Sequence, residues 1–386
     1  MRICHVITRL IVGGAQENTV LTCAGLAERG HQVTLVAGPE TGPEGSLWQQ
    51  AQRSGAELVR VDSLRRAIKP FSDIKCLGAL RRIFKEGGFD VVHTHSSKAG
   101  ILGRRAAAGI GVGAVIHTIH GMSFNRTQPR AVQWLYRGLE RNVARRTDAF
   151  VTVADAMIEQ AVAAGLGPRE KFTTVYSGMP TERYKREAWR RAAVRERWGV
   201  TDADVVVGTV ARLFRNKGYE EVIEAMAPAV ALVPSLKFVW VGGGADRARF
   251  VRRVRALGLG DRLHLTGLVP PEDIAELVGG FDMLVHASRW EGLPRAVVQG
   301  LLMEVPGIAF DVDGAPEVVE DGITGRLVPY GDTRTLAAAI VELARSADLR
   351  ERLGREGRRR CVDRFAAQRM VDDLERLYLR LLEPDG

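Results

Sequence analysis

Cysteine is scarce in this sequence: Cys4, Cys23, Cys76 and Cys361 are the four in 386 residues. None forms a Cys-x-x-Cys pair, and no histidine pair stands near them at zinc spacing. That argues against a disulfide framework or a zinc site and for a reducing cytoplasm. Long apolar runs are also missing; none approaches the roughly 18 residues that span a bilayer. The opening stretch through Arg9 carries His5 and ends on a cation, so no signal peptide is expected. No strand is followed by Gly-x-x-x-x-Gly-Lys-Ser/Thr, which excludes a P-loop ATPase. There is no Gly-x-Ser-x-Gly elbow. A nicotinamide oxidoreductase lacks its Gly-x-Gly-x-x-Gly with a downstream acid.

What remains is ordinary soluble globular material. Apolar residues make up 46% and charged residues 26%, with a mean hydropathy of −0.07. Enough apolar surface is available to exclude disorder as the main state. The length predicts two or three domains. Formal charge is +9, and it is uneven: residues 1–180 hold 23 Lys and Arg against 14 Asp and Glu, while the rest hold 32 of each. A positive field around the first half suits nucleic acid, an anionic membrane surface or a phosphorylated small molecule. Composition does not choose among them.

Short β-branched runs at 3–8, 32–37, 57–61, 91–94, 114–119 and 149–153 alternate with helical patterns, for example 15–28, 73–85 and 129–146. The runs are apolar on both faces, as parallel strands covered on both sides must be. A charged, Arg-rich helix is expected over 182–198. Alternation restarts at 204–210 and continues through 237–241, 262–265, 283–285, 308–310 and 325–328, before a helical tail from Thr333. The expected fold is therefore α/β: two Rossmann-like doubly wound domains facing across a cleft, with ligands at the carboxyl ends of strands. The domains are expected at 1–180 and 181–365, with a final helix at 366–386 packing back on the first.

Four blocks can carry chemistry. Ser288-Arg-Trp-Glu-Gly-Leu-Pro-Arg295 follows a strand and opens a helix. The amides around Gly292 and Leu293 would face an anion, and Glu291 could accept hydrogen bonds from hydroxyls. Seen alone, Glu291 is nearly as well explained as a solvated loop acid. Arg212 and Lys217 follow the first strand of the second domain and could neutralise a diphosphate. A surface basic loop is the more common explanation for such a pair alone. Gly13-Gly14 after the first strand would turn amides toward a ligand, or form a plain tight turn. His93-Thr-His95-Ser-Ser-Lys98 and His117-Thr-Ile-His120-Gly121 lie at strand ends of the first sheet, where a histidine could bond a sugar hydroxyl; His93 and His117 read as core residues. Val241-Gly242-Gly243-Gly244 suits a turn over a nucleotide. Residues 60–85 carry eight cations interleaved with apolar residues, and a second series includes Arg126, Arg130, Arg137, Arg141, Arg145 and Arg146. The 60–85 stretch is either a pair of solvated helix faces or a membrane-surface patch.

In order and spacing, these motifs resemble glycosyltransferase family 4, the retaining GT-B type found in bacterial cell-surface polysaccharide synthesis. Asp321-Gly-Ile-Thr-Gly-Arg-Leu-Val-Pro329 is similar to a common segment of that family. The resemblance covers nearly the whole chain. It implies sugar transfer from a nucleotide-diphosphate sugar, a UDP-sugar, to a glycan or polyprenyl-diphosphate-linked acceptor. It implies catalytic roles for Glu291, His120, Arg212 and Lys217. Donor binding falls to Gly13, Gly14, Gly292, Leu293, Gln299 and Gly243, and acceptor binding to His95 and Lys98. No metal and no cofactor are implied. The expected location is cytoplasmic, or peripheral on the inner membrane face. Three positions depart from the family pattern: Gln299 replaces the second acid, Glu304 a small residue, and Gly307 a β-branched one. Competing expectations are a sugar-nucleotide epimerase on the same fold, and a nucleic-acid-binding protein using the basic first half, which the lack of an exposed aromatic platform disfavours.

Overall fold

The computed structural model describes residues 1–40, 45–124 and 128–383, and divides into two compact units. Met1–Met179 with Phe365–Gly386 make the first, Pro180–Arg364 the second. Arg126 lies outside the described residues.

In chain order the first unit contains β1 (Arg2–Arg9), α1 (Gly14–Glu28), β2 (Gln32–Gly38), α2 (Trp48–Gln52), β3 (Glu57–Arg60), α3 (Pro70–Gly87), β4 (Val91–His95), α4 (Ser97–Ala107), β5 (Ala114–Ile119), α5 (Arg130–Ala144), β6 (Ala149–Thr152), α6 (Ala156–Ala163) and β7 (Phe172–Thr174). All seven strands are parallel, in the order β3-β2-β1-β4-β5-β6-β7. Six of the eight residues of β1 are buried, because helices cover both faces of the sheet. Alternation sorts them: Ile3 and Ile7 join one core cluster with Val20, Cys23 and Leu26 of α1, while Cys4 and Val6 join another with Cys76, Leu80 and Phe84 of α3. Fully buried Arg104 of α4 pairs with Glu140 of α5 at 2.6 Å, so its charge is compensated inside the core.

The second unit contains α7 (Ala188–Arg197), β8 (Val205–Val210), α8 (Tyr219–Leu232), β9 (Leu236–Val241), α9 (Arg247–Ala256), β10 (Leu263–Gly267), α10 (Ile274–Gly279), β11 (Met283–His286), α11 (Arg295–Leu302), β12 (Gly307–Phe310), β13 (Gly325–Val328), α12 (Thr333–Arg345) and α13 (Ala347–Arg364). Its six parallel strands run β10-β9-β8-β11-β12-β13. The helix expected over 182–198 is a correction. Thr181–Arg183 form a single 3-10 turn, Tyr184 is buried, and Glu187 is extended at φ −121° before α7 begins. Nor is α7 a solvated charged rod. Arg191 and Arg195 turn inward to Asp282 at 2.6 and 3.0 Å, and Asp282 also accepts from the Val206 amide at 2.7 Å.

The last helix, α14 (Ala367–Leu382), belongs to the first unit. It lays Met370, Val371, Leu374, Leu377 and Tyr378 against the α1 side of the sheet. Among the described residues, no helix is long and apolar enough to cross a membrane.

Candidate active site

Each sheet reverses its strand order once, between β1 and β4 in the first unit and between β8 and β11 in the second. At such a switch point the loops leaving the strand ends diverge and open a crevice. The candidate residues collect at these two places.

In the second unit the β8 loop runs from Ala211 to Gly218. Gly218 has φ +74°, and a Cβ there would stand 1.7 Å from the Ala287 carbonyl oxygen, so only glycine lets this loop press against the end of β11. The contact is sealed by backbone: the Arg289 amide donates to the Asn216 carbonyl at 3.0 Å, and the Ser288 hydroxyl donates to it at 3.2 Å. The consequence is that Lys217 Nζ meets Glu291 Oε1 at 2.5 Å, although 74 residues separate them in sequence. His286 Nε2 reaches the same oxygen at 2.9 Å. The Glu291 amide donates to Asp313 at 2.8 Å, fixing the loop from below. Burial alone would raise the Glu291 pKa. The Lys217 charge and the His286 hydrogen bond outweigh it and hold the carboxyl well below the usual carboxylate range. His286 and Asp313 are absent from the sequence reading.

The other candidates here sit nearby in the fold. Arg212 opens the same loop, exposed, its guanidinium 5.2 Å over the Phe214 ring. Gly243, after β9, is tied to that loop by the Leu213 amide, which donates to its carbonyl at 2.9 Å. Gly292 and Leu293 are buried just before α11, and the Gly292 carbonyl accepts from the Gly314 amide at 3.2 Å. Gln299 lies on α11, and its side-chain amide donates to the Tyr184 hydroxyl at 3.0 Å. Glu304 has φ +59°, and Gly307 is where a Cβ would meet Val297 at 2.7 Å, so α11 lies close on β12.

In the first unit, Gly13 is extended at φ 173° and caps α1, with Gly14 the first helical residue. Ser96, after β4, sits at φ +62°, and its hydroxyl shares a 2.7 Å hydrogen bond with that of Thr8. Lys98 pairs with Asp73 of α3 at 2.5 Å. His95 is 1% exposed, with both ring nitrogens engaged: Nε2 with His5 Nδ1 at 2.9 Å and Nδ1 with His120 Nε2 at 3.0 Å. No nitrogen of His95 is left to face an acceptor directly. His93 is buried between Tyr378 at 2.5 Å and Thr118 at 2.7 Å, and His117 lies on the opposite face beside Thr94 at 2.9 Å. Register explains the grouping, since His5 pairs with His93 and His95 with Thr118 across the strands. Burial pushes His5 down to about 3, and holds His93, His95 and His117 well below the ordinary histidine range.

Comparison with known proteins matches these two units to two family models: a glycosyl transferase 4-like domain over residues 13–178, and glycosyl transferases group 1 over residues 190–360. EpsD of Bacillus subtilis (strain 168), described as a glycosyltransferase, is 30% identical over 79% of this chain and 80% of its own. The UDP-Gal:alpha-D-GlcNAc-diphosphoundecaprenol alpha-1,3-galactosyltransferase of Escherichia coli is 27% identical over 99% of this chain and 97% of its own. Among solved structures, Anabaena HepE in complex with UDP and glucose superposes with a TM-score of 0.84 at 19% identity, covering 98% of this chain and 99% of that one. The chain belongs to the glycosyltransferases, in the family-4 type of bacterial polysaccharide synthesis, and its fold is GT-B.

Proposed function

We propose that this glycosyltransferase takes a sugar from a UDP-sugar and moves it, with retention, to a glycan or polyprenyl-diphosphate-linked acceptor at an anionic membrane surface. The observation that carries the donor half is the Lys217–Glu291 contact at the β8/β11 switch point. It holds a cation and a hydroxyl acceptor side by side at the start of α11, which is what a sugar diphosphate needs. In the reaction the C1–O bond to the diphosphate breaks, and the acceptor hydroxyl forms the new bond on the same face. The departing phosphate takes the hydroxyl proton. Lys217, Arg212 and the Gly292–Leu293 amides stabilise the departing charge. Glu291 orients sugar hydroxyls, His120 bonds another, and Gln299 holds the ribose. Gly243 turns the chain beside the donor in the second unit, and Gly13 and Gly14 offer backbone amides to a ligand at the start of α1. The need for a bound metal falls away where fixed cations already offset the diphosphate.

The membrane half rests on the surface of the first unit. Phe71 of α3 is 90% exposed and Trp134 of α5 79%, and Ile68, Ile74 and Leu135 are exposed as well. Exposed cations flank them along the chain, Arg66, Lys69 and Lys75 beside the α3 group and Arg130 and Arg137 beside the α5 pair. Apolar side chains flanked by cations suit an anionic lipid interface. Lys98 stands behind this face, on α4, for the acceptor's phosphates.

A thermal-shift panel of UDP-, GDP- and ADP-sugars without metal tests the donor half. A UDP-sugar is expected to raise Tm by mass action; no shift with any of the three sinks it. Anionic liposomes at low salt are expected to retain the protein, and failure to do so removes the membrane half.

A further inference from the structure

We propose that the buried row His5–His95–His120 is a one-way hydrogen-bond relay that fixes the ring of His120 in the tautomer with its proton on Nδ1. His5 and His95 then act as positioning residues, an assignment of role that rests on reading His120 as the sugar-contacting histidine.

The argument is a count of protons. His5 and His95 are 0% and 1% exposed, and burial keeps both rings neutral, with one N–H each. His95 makes two ring contacts, so one of its nitrogens donates and the other accepts. The row must therefore run one way throughout. In one direction His5 Nδ1–H donates to His95 Nε2, and His95 Nδ1–H donates to His120 Nε2. In the other, every proton moves to the opposite nitrogen, and His5 is left with its proton on Nε2. That atom is buried and has no hydrogen-bond partner among the described residues. A buried orphan N–H is the rarer outcome in folded proteins, so the first direction holds. It leaves His120 accepting at Nε2 and carrying its proton at Nδ1.

The row is clamped from the side. His93 stacks on His95 at 4.4 Å between ring centroids and lies 5.1 Å from His5. His93 is itself gripped at both nitrogens by Tyr378 and Thr118. Nitrogens of His5, His93 and His95 come within 4.8 Å of one another, a spacing that could suggest a metal. Both nitrogens of His93 and both of His95 are already engaged by protein groups, which leaves those two rings no lone pair for an ion.

Long-range proton–nitrogen NMR of the full chain labelled with 15N-histidine reads each ring's tautomer. His120 is expected to show a protonated Nδ1 and a bare Nε2. In H5L the head donor is gone, so His120 is expected to shift to the other tautomer or a mixture, with kcat down about tenfold and the donor KM little changed. H5N keeps an N–H near the Nδ1 position and is expected to restore both. A proton on Nε2 of His120 in the parent overturns the relay, and so does an unchanged His120 spectrum in folded H5L. Should H5L fail to fold, the parent spectrum decides alone. Unimpaired transfer by H120A would remove the sugar-contact reading of His120 while leaving the relay spectrum as it is.

Discussion

The two units share a topology and place their candidate residues at the same point of it, yet they fill that point with opposite chemistry. At the β1/β4 reversal stand neutral, stacked imidazoles, closed off from water. At the β8/β11 reversal stand a lysine and a carboxylate in direct contact. The unit with most of the excess positive charge, +7 of the +9, thus has the uncharged centre, and the nearly balanced unit, at +2, has the charged one. Most cations of the first unit lie on exposed helix faces such as those of α3 and α5, the buried Arg104 being paired with Glu140. Net charge therefore reports on a unit's surface and what it attracts at a distance, not on the electrostatics of its site.

Acidification should separate the units most strongly. A buried neutral histidine costs stability once the unfolded chain can bind a proton that the folded one refuses. The folded-state values of His5, His93, His95 and His117 lie below the unfolded one of about 6.5. Their contribution is full above that pH and falls below it, by about 1.4 kcal/mol per pH unit for each ring. Glu291 contributes above its unfolded value of about 4.5 and loses that only at lower pH. Hydrogen exchange read by mass spectrometry near pH 5 should show Met1–Met179 losing protection first. Loss beginning in the second unit would break the comparison.

The charged centre is tested next by Lys217→Ala. It should abolish most of the UDP-sugar thermal shift, a loss of about 1.5–3 kcal/mol in donor binding. It should also lower the starting Tm, because Glu291 is left buried without its cation. Arg212→Ala should weaken donor binding without that second effect, since Arg212 is exposed. An unaltered shift in both variants would mean that charge is not what the second unit offers the donor.

A smaller effect concerns the platform beneath that centre. Gly307→Val restores the residue type usual in the family, but its Cβ would meet Val297 at 2.7 Å. Overpacking there should cost about 1–3 kcal/mol of stability, seen in urea unfolding. Neutral or improved stability would show that α11 is free to move away from β12. The smallest change is expected of Gln299→Glu. Its partner Tyr184 can donate to a carboxylate as well as accept from an amide, so the donor KM should move by less than about tenfold.

Much of this was legible in the sequence for a physical reason. Parallel strands buried on both faces are unbroken apolar runs, and among the described residues twelve of the thirteen strands were legible, the edge strands β3 and β10 from their place in the strand–helix alternation rather than from burial. The exception is β7, Phe172–Thr174, three residues long, two of them threonine, at a sheet edge. Lys217 and Glu291 were legible because each stands beside a glycine at a strand-to-helix turn. His286 was not, since it reads as one more strand residue, and Asp313 owes its role to a tertiary contact made from a loop. His5 was hidden for a related reason. Its partner lies 90 residues away, and only strand register joins them.

The return of α14 to the first unit has a consequence for synthesis. Tyr378, which grips His93, is translated after all of Pro180–Arg364. On the ribosome the amino-terminal sheet must wait, one apolar face covered only in part by α1, while the intervening unit is made and folds. The half of the enzyme begun first is the half completed last, and that interval is when the nascent chain is most in need of a chaperone.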